Sequence, residues 1–140
     1  MGNRTQKETL FPARLAETAR LRTFVDAACE SWGVARPVAF KLHLIAEELF
    51  TNTVKHGHRG DCDSPVWLGI SCDESKVHLT FADQAPAFNP LAHAACVSAE
   101  QGAAEHKVGG LGVLLVSELS CTAEYAYLYG RNRIRLTVQM

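Results

Sequence analysis

Apolar residues recur along this chain at two different periods, and the change from one to the other outlines its elements. Leu15, Leu21, Val25, Ala28 and Trp32 return at nearly helical intervals, so residues 13–32 predict a first amphipathic helix with Gly33 placed to stop it. A second helix is predicted from Arg36 and Pro37, where proline suits the first turn, to about His56, with Gly57 ending it. After a loop at 57–64, Val66, Leu68 and Ile70 fall at every second position, and so do Val77, Leu79 and Phe81. The intervening Asp73-Glu74-Ser75 makes this pair an antiparallel hairpin. Leu10 and Phe11 read only as a short apolar patch. Residues 84–110 include Pro86 and Pro90 and sustain no period. Their length exceeds the roughly 12–15 residues usual for a structureless loop, which predicts a lid or binding loop at about 88–108. GGLGVLLVSEL then predicts a glycine-rich turn opening a short buried helix. Tyr125, Tyr127 and Tyr129, followed by Ile134, Leu136 and Val138, predict a closing hairpin about Gly130. The order of helices, hairpin, lid, helix and hairpin predicts an α+β layered sandwich, not a parallel βαβ fold.

Three places break the pattern with polar chemistry. On the second helix, at about 100° per residue, Leu42, Ile45, Ala46 and Leu49 form the core-facing stripe and Glu47 points away from it. Glu48 falls at the margin of the stripe, and Asn52, four residues on, falls almost upon it, so the two share one face. Either Glu48 pairs with Lys55 or Lys41 while Asn52 bonds backbone, or both face a ligand. Asp83 continues the phase of Val77, Leu79 and Phe81 and therefore points to the apolar face. An unpaired carboxylate there costs several kcal/mol, so turn amides or a ligand must supply donors. Gly109-Gly110-Leu111-Gly112 places free N–H groups at a helix start, where a tight turn or a bound anion accounts for them. An acceptor for a base amine, an amide for a hard cation and a phosphate-binding helix start together make the parts of a Mg-nucleotide site. Arg131, Arg133 and Arg135 occupy the outward phase of the last strand, either to meet an acidic partner surface or as a solvated, edge-protecting face.

Composition narrows the remaining classes. A chain of 140 residues with 47% apolar and 21% charged residues suits one compact domain over 1–140. Its formal net charge of -1 provides no polycationic surface for nucleic acid or an anionic membrane. The absence of an apolar run of about 18 residues, and a polar N-terminus, lead us to expect no membrane span and a cytoplasmic location. The cysteines number 5, at 29, 62, 72, 96 and 121, with no Cys-x-x-Cys, which argues against a disulfide framework or zinc knuckle. His56-x-His58 has no third ligand at a spacing that would close a tetrahedral metal site.

EELFTNTVKHGH resembles the N box of the GHKL, or Bergerat-fold, ATPases. DQAPAFNP is similar to their Asp-x-Gly-x-Gly box, and GGLGVLLV with the terminal GRNRIRLTV resembles their later glycine box and last strand. The likeness covers nearly the whole chain. Within the superfamily, the short chain and the wording of these boxes look most like the bacterial anti-sigma-factor serine/threonine kinases. The resemblance implies a two-layer α/β sandwich with helices on one face of a mostly antiparallel sheet, and ATP with Mg2+ as cofactors. By position, Asn52 matches the Mg-binding Asn and Glu48 the general base that takes a proton from a target serine. Asp83 matches the acceptor of the adenine amine, with the box positions Ala85 and Ala87 beside it. Gly109, Gly110, Leu111 and Gly112 match the phosphate loop, and Lys107 precedes it, either steadying a γ-phosphate or simply exposed. Asn132 takes the place of a Thr that helps hold adenine. Ala85 and Ala87 depart from the usual glycines, which stiffens that turn and keeps the backbone farther from a base. The implied activity is phosphorylation of an anti-anti-sigma (STAS) protein, with sequestration of a sigma factor and a homodimer as further expectations. The alternatives are a nucleotide-gated binding module without transferase activity and a catalytic ATPase subunit of a two-component type.

Overall fold

The computed structural model of the chain describes residues 5–91, 120 and 122–140. The chain enters as strand β1 (Thr5–Pro12), makes a 3-10 turn at Leu15–Glu17, and forms helices α1 (Thr18–Ser31) and α2 (Arg36–Asn52). Strands β2 (Pro65–Cys72) and β3 (Lys76–Asp83) follow, and β4 (Thr122–Leu128) and β5 (Arg131–Gln139) close the described chain. These strands make one antiparallel sheet in the order β1-β2-β3-β5-β4. The fold is α+β, with the helices against one face of that sheet, as the sequence pattern and the resemblance both led us to expect. Residues 92–108 of the expected lid, the glycine turn and helix at 109–119, and Cys96 and Cys121 lie outside the described residues.

The predicted periods become the core. Val66, Leu68 and Ile70 of β2, Val77, Leu79 and Phe81 of β3, and Ile134, Leu136 and Val138 of β5 are all buried on one face. Against them pack Leu21, Val25 and Ala28 of α1 and Leu42, Ile45, Ala46, Leu49 and Phe50 of α2. Proline in the first turn starts α2, and Gly33 at φ 63 stops α1, with the Val34 N–H bonding the Cys29 carbonyl at 2.9 Å. Helix α1 is shorter than the span read from the sequence, because Leu15 falls in the 3-10 turn and Trp32 just beyond the helix end.

Two differences have physical causes. Strand β1 was legible only as an apolar patch, because it is an edge strand that sends one large side chain inward. Phe11 is buried and meets Phe24 and Phe50 edge-on at 6.3 Å, whereas Leu10 is exposed on the opposite face. Helix α2 ends at Asn52, earlier than His56, and the chain continues as a π turn over Thr53–Gly57. The His58 N–H reaches back five residues to the Thr53 carbonyl at 2.9 Å, which widens the turn. On the other face of the sheet, the Arg131 guanidinium stacks 3.9 Å over the ring of Trp67, an outward placement that agrees with the strand phase.

Candidate functional site

The apolar stripe of α2 sets the direction of its polar margin. With Leu42, Ile45, Ala46 and Leu49 against the sheet, Glu48 and Asn52 come to lie one turn apart at the helix end. Glu48 is half-buried, and among the described residues its carboxyl has neither an ion pair nor a hydrogen bond. The surface pair with Lys55 or Lys41 is therefore not made. Burial pushes the Glu48 carboxyl pKa up, against the opposing pull of Lys55 and His56. Among the described residues Asn52 does not bond backbone either, and its enclosed amide nitrogen has no hydrogen-bond partner. Nearly all buried polar groups find partners, so an orphaned amide one turn from an unpaired carboxyl makes this helix end a candidate ligand site.

Asp83 ends β3 on the inward phase and is only 7% exposed. Its burial is compensated by three donors. The Thr53 hydroxyl donates to Oδ2 at 2.7 Å, while the Ala85 N–H at 3.1 Å and the Asn132 Nδ2 at 2.9 Å donate to Oδ1. The turn-amide reading of Asp83 is thus part of the answer, and two side chains from other elements supply the rest. Asn132 stands directly across the ladder from Asp83. Its Nδ2 also approaches the Ala85 and Pro86 carbonyls at 3.0 and 3.1 Å, and its Oδ1 accepts from the Phe88 N–H at 3.0 Å and from the Tyr125 hydroxyl. Asn132 was expected to hold a base. In the structure its carboxamide is committed to the protein, where it fixes Asp83 and the turn behind it.

The Asp-box alanines take different environments. Ala85 is buried and Ala87 exposed. A Cβ added to Gly57 would stand 2.8 Å from the Ala85 methyl, so glycine at 57 makes room for the alanine that replaces a box glycine. The structure thereby joins Glu48, Asn52, Asp83, Ala85 and Asn132 through one region at the ends of α2, β3 and β5. Lys107, Gly109, Gly110, Leu111 and Gly112 lie outside the described residues. Thr53 and Tyr125 were not identified as site residues from the sequence. The available signal was only that Thr53 follows Asn52 directly in the chain. Among the described residues no three His, Cys, Asp or Glu side chains converge on a metal, and no helix is long and apolar enough to cross a membrane.

The family model of the histidine kinase-like ATPase domain matches residues 11–138. The chain belongs to that family, and is an ATP-binding module of the GHKL type. A comparison with curated proteins found no match.

The donor set fits Mg·ATP. The buried atom of Asn52 left without a partner among the described residues is the amide nitrogen, a donor suited to a phosphate oxygen. The same carboxamide carries a neutral oxygen of the kind hard cations take, and Asp83 is an acceptor-only group for a base amine. When bound, Mg2+ would neutralise charge on the phosphate oxygens beside Asn52.

Proposed function

We propose that this chain is an ATP-dependent regulatory serine/threonine kinase of the anti-sigma type, acting on a small STAS-type antagonist and sequestering a sigma factor. The observation that carries the reading is a pair of polar groups at the end of α2 that have no partner among the described residues, a half-buried Glu48 carboxyl with raised pKa one turn before the Asn52 amide. A general base works best when its pKa is drawn toward the working pH, and burial moves Glu48 in that direction. Glu48 accepts the proton of the incoming serine hydroxyl as that oxygen forms its bond to the γ-phosphorus and the bond to the β-phosphate oxygen breaks. Asn52 orients the phosphates from the same helix face, and Asp83 holds the base. Incubation of the chain with Mg·ATP and a candidate antagonist, followed by mass spectrometry, is expected to show one added phosphate on a serine or threonine of the antagonist. ATP binding without transfer would remove the kinase.

One observation favours a second reading, a nucleotide-gated binding module. The buried Ala85 methyl lies close to Gly57 where the family box usually has a glycine, and the Asn132 carboxamide bonds Asp83, the group the resemblance assigns to the base. Calorimetric titration read together with the mass spectrometry separates the outcomes, since a module gated by nucleotide binds ATP and ADP yet leaves the antagonist unmodified.

A further inference from the structure

We propose that Thr53 is a positioning residue that makes Asp83 selective for a purine carrying an amino group at C6. The inference rests on the nucleotide reading above and deepens it. A hydroxyl within or just after a helix ordinarily bonds back to a carbonyl of its own preceding turn. Thr23 does so to Ala19 at 3.1 Å, and Ser31 to Ala27 at 2.8 Å. Thr53 departs from that habit. It is only 5% exposed, and its hydroxyl crosses from the π turn to Asp83 Oδ2 at 2.7 Å, a contact between residues 30 positions apart in sequence.

The stereochemistry of a carboxylate gives that contact a consequence. Each oxygen offers two in-plane acceptor directions. On Oδ1 the Ala85 N–H and the Asn132 amide use both, whereas on Oδ2 Thr53 uses one. The remaining direction on Oδ2 is the acceptor offered to a base, and the Thr53 hydroxyl fixes where it points. An oxygen that can only accept favours an amino group at C6, gains nothing from a hydrogen there and repels a 6-oxo group. Without the hydroxyl, Oδ2 has two open acceptor directions, water takes either, and the preference for a donor at one position weakens. Thr53 also follows Asn52 directly in the chain, so one short segment serves the base end and the phosphate end of the site.

The test compares the Mg2+ complexes of ATP, of purine riboside triphosphate, which has hydrogen at C6, and of inosine triphosphate by titration calorimetry on the full chain. Wild type is expected to bind ATP roughly 10- to 100-fold more tightly than purine riboside triphosphate, as for one hydrogen bond to a charged group. In Thr53→Val the ratio is expected to fall by about fivefold or more, and in Thr53→Ser to return to the wild-type value. Thermal melts accompany each titration, and Thr53→Ala takes the place of the valine variant if that variant does not fold. A purely structural role would weaken all three ligands equally. Such a uniform loss, or an unchanged ratio, would overturn the role of Thr53. Equal binding of ATP and purine riboside triphosphate by wild type would overturn it too while leaving nucleotide binding in place. A wild type that binds no triphosphate would overturn the nucleotide reading itself.

Discussion

Asn52 and Glu48 make no side-chain hydrogen bond or ion pair among the described residues, and that lets their roles be separated experimentally. An enclosed amide without a partner costs stability, so Asn52→Ala is expected to change unfolding stability by less than about 1 kcal/mol while abolishing Mg-dependent ATP binding. A chemical melt alongside calorimetry checks both halves. Glu48→Gln is expected to spare ATP binding and slow phosphoryl transfer by ~10²–10⁴. Its stability has a definite pH sign. The folded chain holds the Glu48 proton more tightly than the unfolded chain, so this group's contribution is fully present below the ordinary glutamate value and is lost as pH rises through the higher folded value. The neutral glutamine avoids that loss. The variant should melt above wild type at pH 7 and level with it near about pH 3.5, below the ordinary glutamate range. For the same reason transfer by wild type should climb with pH over a range lying above that ordinary value. The inward phase of Asp83 and the shared face of Glu48 and Asn52 were legible in the sequence, because strand and helix periods fix side-chain direction. The partners were not. Which donors reach Asp83 depends on the ends of α2 and β5 meeting in space, and no local period encodes that the Asn132 carboxamide is spent on the protein.

At the scale of elements, the turns hold the clearest residual strain and the clearest anchoring. Tyr129 and Gly130 join β4 to β5 with φ of 54 and 76, the two-residue geometry that favours Asn-Gly, and the Tyr129 side chain is fully exposed. A bulky residue there is costly, so Tyr129→Asn is expected to raise stability by about 1 kcal/mol in a denaturant melt. The β2–β3 turn is secured differently. Asp73 accepts from the Ser75 and Lys76 amides, both at 2.9 Å, and contacts His78 at 2.8 Å, which holds its carboxyl well below the usual carboxylate range. That hairpin was legible because turn chemistry and alternation agree. The closing hairpin was legible about Gly130, although Tyr129 belongs to the turn and not to the strand alternation. Strand β1 escaped because an edge strand needs no apolar stripe, and the π turn escaped because Val54 keeps its core contact whether the helix ends at Asn52 or His56.

Across the whole molecule, the core and the site share their supports. Leu42 and Ile45 are fully buried between sheet and helix, and they aim the face that carries Glu48 and Asn52. Leu42→Ala is expected to cost about 2–5 kcal/mol in unfolding stability and, in whatever fraction stays folded, to weaken ATP binding through misplacement of that face. Denaturation and calorimetry on the same sample test both. The strand order β1-β2-β3-β5-β4 has a consequence of another kind, during synthesis. Residues 131–139 are translated after every other described strand, yet they fill the slot between β3 and β4 and carry the amide that braces Asp83. While the ribosome is still making them, the nascent chain presents β3 as an open hydrogen-bonding edge whose terminal carboxylate lacks the Asn132 donor. Cellular nucleotide therefore has no finished cleft to stabilise until translation has passed the last strand.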